Sequence, residues 1–249
     1  KLNVLWVSGA HVHPEYRGKG IGSMMDWDIE KYFTPEFDAL LVCREDETSR
    51  AYQWYKRLGY QQQTPIISFC RPVEQSTDEV SDYIVWDTKE QVLGAGEKLF
   101  QCFQSNIGDR GGFPERSPQF WADQWESHYY KASYRYCIVA IFSNDAVIGY
   151  AMLGETEMKD GITRFDILEI MGQEDEASKK NLYNAIRDLA HKRNLKEVRI
   201  QLVEQDQDIK LIESLGFTER WRTNILGKRI ALGDALPSIH WKYFHIDYI

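Results

Sequence analysis

The stretch that most constrains this chain is His11-Val12-His13-Pro14-Glu15-Tyr16-Arg17-Gly18-Lys19-Gly20-Ile21-Gly22. An apolar run, Leu2 to Ala10, leads into it. A helical pattern leaves it, with Ile21, Met24, Met25, Ile29, Tyr32 and Phe33 at helical spacing. The order is strand, glycine-rich turn, helix N-terminus. Such a turn leaves backbone N–H groups pointing one way, and the helix dipole adds positive potential there. Together they favour a phosphate or pyrophosphate. Gly18 and Gly20 allow backbone angles closed to other residues and a close anion approach. Gly22 permits tight packing at the helix start, and Arg17 and Lys19 add mobile positive charge. By itself the same turn also serves as a plain surface connection.

The flanking residues narrow the reading. Arg17, Gly20 and Gly22 fill the Gln/Arg-x-x-Gly-x-Gly/Ala pattern, and Val12-x-Pro14-x-Tyr16 precedes them. After a short apolar strand, Ala39 to Cys43, comes Ala51-Tyr52-Gln53-Trp54-Tyr55-Lys56-Arg57-Leu58-Gly59-Tyr60. This resembles an Ala-x-x-x-Tyr-x-x-x-Gly-Phe helix. The two elements resemble the coenzyme-binding motifs of the GCN5-related N-acetyltransferase (GNAT) family. The resemblance implies an α/β (α+β, mixed-sheet) fold and acetyl-CoA as cosubstrate, with no metal. It implies that Val12 lends backbone hydrogen bonds to the pantetheine arm. Arg17, Gly18, Lys19, Gly20, Ile21, Gly22 and Ser23 would hold the pyrophosphate. Thr48 falls where the family often has Asn and would contact pantetheine. Tyr55 would be the general acid, giving a proton to the departing thiolate. A phenol, with a pKa of about 10, can do so within hydrogen-bond reach. A core tyrosine packed against the first helix is the alternative.

Further along, Gly22 to Phe33 and Ala51 to Leu58 read as helices and Ile66 to Cys70 as a strand. Pro72 and the polar run Glu74 to Glu79 read as a linker. Helices follow over Glu90 to Phe103 and Ser117 to Tyr130, with a turn region from Gly108 to Pro114. Tyr136 to Phe142 and Val147 to Leu153 read as a hairpin. Phe165 to Met171, a helix around Leu182 to Ala190, the strand Val198 to Leu202 and a short helix at Ile209 to Leu215 complete the order. Arg220 to Leu232 reads as a last hairpin turning at Gly227-Lys228. This order looks like the acetyltransferase fold once over, whereas the first part resembles only its later half. The expectation is a tandem: residues 1–75 a partial copy carrying the coenzyme motif, residues 76–249 a second, degenerate copy. The boundary is placed near 75–82. Tyr55-Lys56-Arg57-Leu58-Gly59-Tyr60 recurs as Ile212-Glu213-Ser214-Leu215-Gly216-Phe217.

In the second copy the glycine turn is replaced by Gly172-Gln173-Glu174-Asp175-Glu176-Ala177-Ser178. Its carboxylates oppose an anion and suit the helix dipole instead. Ile212 stands where the first copy has Tyr55. This copy reads as a structural or substrate-shaping partner.

Composition excludes some classes. The chain has 249 residues, 43% hydrophobic and 27% charged, enough apolar material for a packed core. A net charge of -8 argues against a nucleic-acid binder. Cys43, Cys70, Cys102 and Cys137 are widely spaced and read as reduced thiols of a cytoplasmic protein. No run approaches the ~18 apolar residues of a membrane span. His11-x-His13 with Glu15 lacks further metal ligands at convincing spacing. His240 and His245 lie in an aromatic tail that reads as docking on a sheet edge. The general base stays open, with His11 one titratable residue beside the turn.

The reading is an N-acetyltransferase moving an acetyl group from acetyl-CoA to an amine on a small molecule or peptide. The alternative is a non-catalytic tandem module that senses coenzyme or binds protein. The chain opens at Lys1 almost directly into a strand, so a natural start upstream is expected. About 60–80 further residues, a fraction of one ordinary domain, would complete the first copy. Pairing of that copy with another chain leaves room for a homodimer.

Overall fold

The structure is a computed structural model and describes residues 3–7, 10–34, 36–44, 47–74, 82–107, 116–125, 135–158, 161–204 and 206–230. The turn expected at Gly108 to Pro114, the end of the helix expected over Ser117 to Tyr130, most of the 75–82 junction and the tail with His240 and His245 lie outside these residues.

The chain begins β1 (Val4–Trp6), a 3-10 turn (Pro14–Tyr16), α1 (Ile21–Phe33), β2 (Ala39–Arg44), α2 (Arg50–Arg57), β3 (Gln61–Gln62) and β4 (Ile66–Pro72). There follow β5 (Tyr83–Trp86), α3 (Lys89–Ile107), α4 (Phe120–Gln124), β6 (Arg135–Ser143), β7 (Ala146–Glu157) and β8 (Thr163–Gly172). The last elements are α5 (Glu176–Lys192), β9 (Glu197–Val203), α6 (Ile209–Ser214) and β10 (Thr218–Arg229). Among the described residues the strands form one ten-stranded mixed sheet, ordered β1-β2-β10-β4-β9-β8-β7-β6-β5, with short β3 alongside β10. The pairs β1–β2 and β8–β9 are parallel. The other pairs are antiparallel.

The order β1-α1-β2-α2-β4 is repeated as β8-α5-β9-α6-β10. Both short helices end alike. Gly59 and Gly216 take φ of 91° and 83°, and the next amide reaches back to the carbonyl of Tyr55 or Ile212 at 3.1 and 3.0 Å. This is the left-handed helix stop that glycine allows.

The two units exchange their last strands. β4 follows the first unit's helices but pairs along its whole length with β9 of the second. β10 ends the second unit, yet Asn224 to Arg229 pair with Arg44 to Ala39 of β2. The hairpin expected around Gly227-Lys228 is therefore replaced by one continuous strand. Gly227 pairs with Leu41 on one side and Gln61 on the other. A Gly-Lys pair favours a turn locally, but ladder bonds to β2 and β3 hold it extended.

Strand alternation builds the core on both faces. From β6, Cys137, Val139 and Ile141 face one cluster with Leu182, Ile186 and Leu189 of α5. Tyr136, Ile138 and Ala140 face another with Val92, Leu99 and Trp121 of α3 and α4. Two buried faces explain why these strands read as continuous apolar runs. In β8 a bulge interrupts the ladder, since Leu153 pairs with Ile167 and Met152 with Glu169. The extra residue, Leu168, lets Ile167 and Ile170 share one face. The four cysteines are free thiols. Burial pushes Cys70, Cys102 and Cys137 up to about 12.

The first helix differs from its expected inner face. Met24 and Tyr32 are 62% and 74% exposed. Gly22 and Asp26 lie inward beside Ile29, which keeps its expected place: the glycine packs against Trp54, the aspartate is buried, and Ile29 joins the local core. A glycine and an aspartate on the inner stripe do not register in a hydropathy pattern.

One ion cluster bridges β8 and β9. Asp166 accepts from Arg199 Nε and Nη2 at 2.7 and 2.6 Å, and Arg164 Nε lies 2.8 Å from the same carboxylate. All three residues are buried. Asp166→Ala leaves the Arg199 guanidinium without its bidentate partner and Arg164 with only Glu197 at 3.8 Å, and a loss of about 3–5 kcal/mol is expected. Urea unfolding of the full chain measures it, with Asp166→Asn expected to lose less.

Candidate active site

The glycine turn closes as the sequence predicts. Gly20 stands in the left-handed region, φ 79°, and immediately precedes α1. Gly18 shares that φ. The first amide of α1 with a helical partner is that of Met24, which donates to the Gly20 carbonyl at 3.0 Å. The amides of Ile21, Gly22 and Ser23 find no acceptor among the described residues, as expected of a helix start. Gly22 has a different role. A Cβ there would meet the Trp54 indole at 3.2 Å. That contact, with the Trp54 Nε1 donation to Ser23 Oγ at 3.2 Å, fixes α2 against the start of α1. The Val12 carbonyl accepts from Arg17 Nε at 3.0 Å, which ties the run-up to the turn.

These groups border a cleft of about 470 Å³ between α1, α2 and the end of β2. Val12, Arg17, Gly18, Gly20, Ile21, Gly22, Ser23 and Tyr55 line it. Lys19 and Thr48 do not. The Lys19 ammonium lies 5.1 Å from the Tyr16 ring centre, and Thr48 lies exposed just before Ser49, whose Oγ caps α2. Arg44, Arg50 and Arg57 join the lining, and sequence reasoning missed them. Their signal was present: Arg50 and Arg57 are seven apart, so they share a helix face, and Arg44 ends an apolar strand. Four guanidinium groups thus face the cleft against one carboxylate, Asp26.

Tyr55 lies at the inner end. It is buried, packed edge-on to Tyr60 at 5.0 Å, with the Arg44 guanidinium 4.9 Å from its ring. Arg44 Nη2 donates to its phenol oxygen at 3.2 Å. Burial raises the Tyr55 pKa, and Arg44 opposes the rise by charge and hydrogen bond. The phenol therefore stays protonated at neutral pH. Asp26 accepts from Tyr60 Oη at 2.9 Å and sits 3.7 Å from Lys228 Nζ of β10. His11 also lines the cleft.

The equivalent turn of the second unit is shut. Asp175 caps α5, accepting from the Ser178 amide at 2.8 Å, and these hydrogen bonds hold its carboxyl below the usual range. Lys179 bridges Glu174 and Asp208 at 2.9 and 2.7 Å. The remaining cavity is about 20 Å³, room for about one water.

Residues 1–60 match the model of the acetyltransferase (GNAT) family. The chain has the tandem GNAT fold. Among solved structures it is similar to a GCN5-related N-acetyltransferase from Anabaena variabilis, with a TM-score of 0.65 and 14% identity over 92% of this chain and 55% of that one. A tandem GNAT protein from the clavulanic acid biosynthesis pathway gives 0.62 and 14%, over 94% and 77%. A probable N-acyltransferase from Enterococcus faecalis gives 0.63 and 15%, over 92% and 55%. At these identities the likeness is one of fold. The chain spans about half the length of the Anabaena and Enterococcus proteins. No curated protein sequence matches it. Among the described residues no helix is long and apolar enough to cross a membrane.

Gly20 separates backbone strain from crowding. A Cβ there meets nothing within 4 Å, so the loss in Gly20→Ala comes from φ alone. About 1–2 kcal/mol is expected. Gly20→Asn should lose less, since asparagine tolerates the left-handed region. Urea unfolding of the two variants checks the order.

Proposed function

We propose that this chain is an acyl-CoA-dependent N-acyltransferase that passes an acetyl group from acetyl-CoA to a primary amine. The observation that carries the reading is the meeting of three unpaired helix amides, four arginines and a protonated buried phenol around one cleft. The amides of Ile21, Gly22 and Ser23, with Arg17, suit a diphosphate. Arg50 and Arg57 add charge for further phosphate. Acetyl-CoA supplies an activated acyl thioester; the chain supplies position, charge and a proton. The amine attacks as the neutral base, and holding it beside the thioester removes much of the entropic barrier. Nitrogen bonds to the carbonyl carbon as the carbon–sulfur bond breaks; Tyr55 Oη, kept protonated by burial, gives its proton to the departing sulfur, and the nitrogen sheds a proton to solvent, from which the phenol is reprotonated. The proposed site lies wholly in the first unit, with the second unit's turn closed by its own carboxylates.

Calorimetric titration with acetyl-CoA tests the binding half of the proposal: one site per chain is expected, with turnover read as thiol release over a panel of amines. Tyr55→Phe should lower turnover by about 100-fold or more, the range of general acid catalysis. Its coenzyme affinity should change little. Because burial raises the phenol's pKa, the wild-type rate should show no alkaline fall from Tyr55 ionisation until pH passes about 10. Binding without any turnover would favour the non-catalytic, coenzyme-sensing alternative, and absence of binding would remove the transferase and coenzyme-sensing readings and leave only a protein-binding module.

A further inference from the structure

A second cluster of charge and aromatic rings lies in the other unit, on the face of the sheet that carries α3 and α4. Arg116 is its centre. Its guanidinium carbon is 4.2 Å from the ring centres of both Phe103 and Phe120, and 5.6 Å from that of Trp121. In the guanidinium plane, Nη1 and Nη2 donate to the two Glu169 oxygens at 2.7 and 2.5 Å. Tyr150 Oη donates to Glu169 Oε1 at 2.5 Å, which orients the carboxylate. The Arg116 side chain is 4% exposed and that of Glu169 13%.

Two features set this apart from an ordinary buried ion pair. First, every kind of contact that recognises a flat, forked cation is present together: stacking rings, a bidentate carboxylate and a phenol that fixes it. Second, Glu169 sits immediately after the Leu168 bulge, beyond Ile167, the last β8 residue paired with β9. The parallel pair opens there, as β1 and β2 part beyond Trp6 in the first unit. The carboxyl end of a parallel pair is where open sheets receive ligands. The Trp121 indole N–H in the same wall is fully buried and finds no acceptor among the described residues.

We propose that Phe103, Phe120, Trp121, Tyr150 and Glu169 form a guanidinium site that the chain's own Arg116 fills, and that an alkylguanidinium ligand can take its place. The ligand class is set by the fork and the plane: a guanidinium satisfies both carboxylate oxygens while stacking, and an ammonium does not. Arg116 is a tethered occupant whose high local concentration keeps free ligand out. This inference is independent of the acetyl-CoA reading, because it uses none of the cleft residues.

The test is Arg116→Ala in the full chain, titrated with ethylguanidinium and ethylammonium well below denaturing concentrations, with calorimetry and thermal unfolding as readouts. Ethylguanidinium should bind saturably to Arg116→Ala. It should bind about tenfold more tightly than ethylammonium, the equivalent of one charge-assisted hydrogen bond. Binding should vanish in Arg116→Ala/Glu169→Gln and be undetectable in the wild type over the same range. Equal response to the two cations, no response, persistence in the double variant, or equal binding by the wild type would each overturn the proposal. Where Arg116→Ala is unfolded, recovery of its native circular dichroism with ethylguanidinium and not ethylammonium supports the site. Failure to recover overturns it.

Discussion

The structure depends on strand β10 lying between β2 and β4. Every backbone N–H and C=O inside a sheet needs a partner, and an unpaired edge invites association. Among the described residues, β2 of the first unit obtains its second partner only from the end of the second unit, through Asn224 to Arg229. In return β4 satisfies β9. The two repeats are therefore interlocked by backbone hydrogen bonds, which are hard to replace by water once both faces are covered. The consequence reaches the cleft. Leu226 packs with Tyr52, Tyr55 and Tyr60 under the first unit's helices, and Lys228 reaches Glu30 and Asp26 on α1. Asn224 accepts from Gln62, which in turn accepts from Tyr52 of α2. The proposed acid, Tyr55, thus rests on a floor built in part by residues more than 160 positions away.

The two units show how little separates an open helix end from a closed one. Both offer a strand, a turn and a helix N-terminus. A helix start has only a few unpaired amides, and whatever meets them first sets the chemistry. In the second unit Asp175 takes an amide directly and Lys179 ties Glu174 to Asp208, which leaves about 20 Å³. In the first unit the equivalent place holds Gly20, which has no side chain to cap with, and a cleft of about 470 Å³ remains. Removing a side chain here preserves the dipole's capacity for an outside anion.

What was legible in the sequence was local. Gly18, Gly20 and Gly22 each do what their residue type dictates, and apolar runs mark strands buried on two faces. The paired helix stops at Gly59 and Gly216 expose the repeat. What was not legible depended on partners distant in sequence. Gly227-Lys228 looks like a turn until β2 and β3 are placed beside it. Asp26 looks like a solvent-facing helix residue until Tyr60 and Lys228 arrive. Arg44, Arg50 and Arg57 look like ordinary surface charge, and only the folded α2–β2 corner turns them toward one cleft. Pattern reading finds groups that act through their own backbone, and misses those whose role is assigned by a neighbour.

Tyr55 shows the same dependence at the level of one proton. Desolvation alone would hold the phenol's proton too tightly for a useful acid, since burial disfavours the phenolate. Arg44 works against that, with a charge 4.9 Å from the ring centre and a hydrogen bond to the oxygen. Asp26, which lines the same cleft, acts in the opposite sense on the phenol. The balance favours a proton that is retained through neutral pH, while the guanidinium is already placed to stabilise the oxygen once it leaves. The proposed acid, built this way, needs no titration near pH 7. It needs a cation poised at the oxygen, and β2 supplies one at the residue where its apolar run ends.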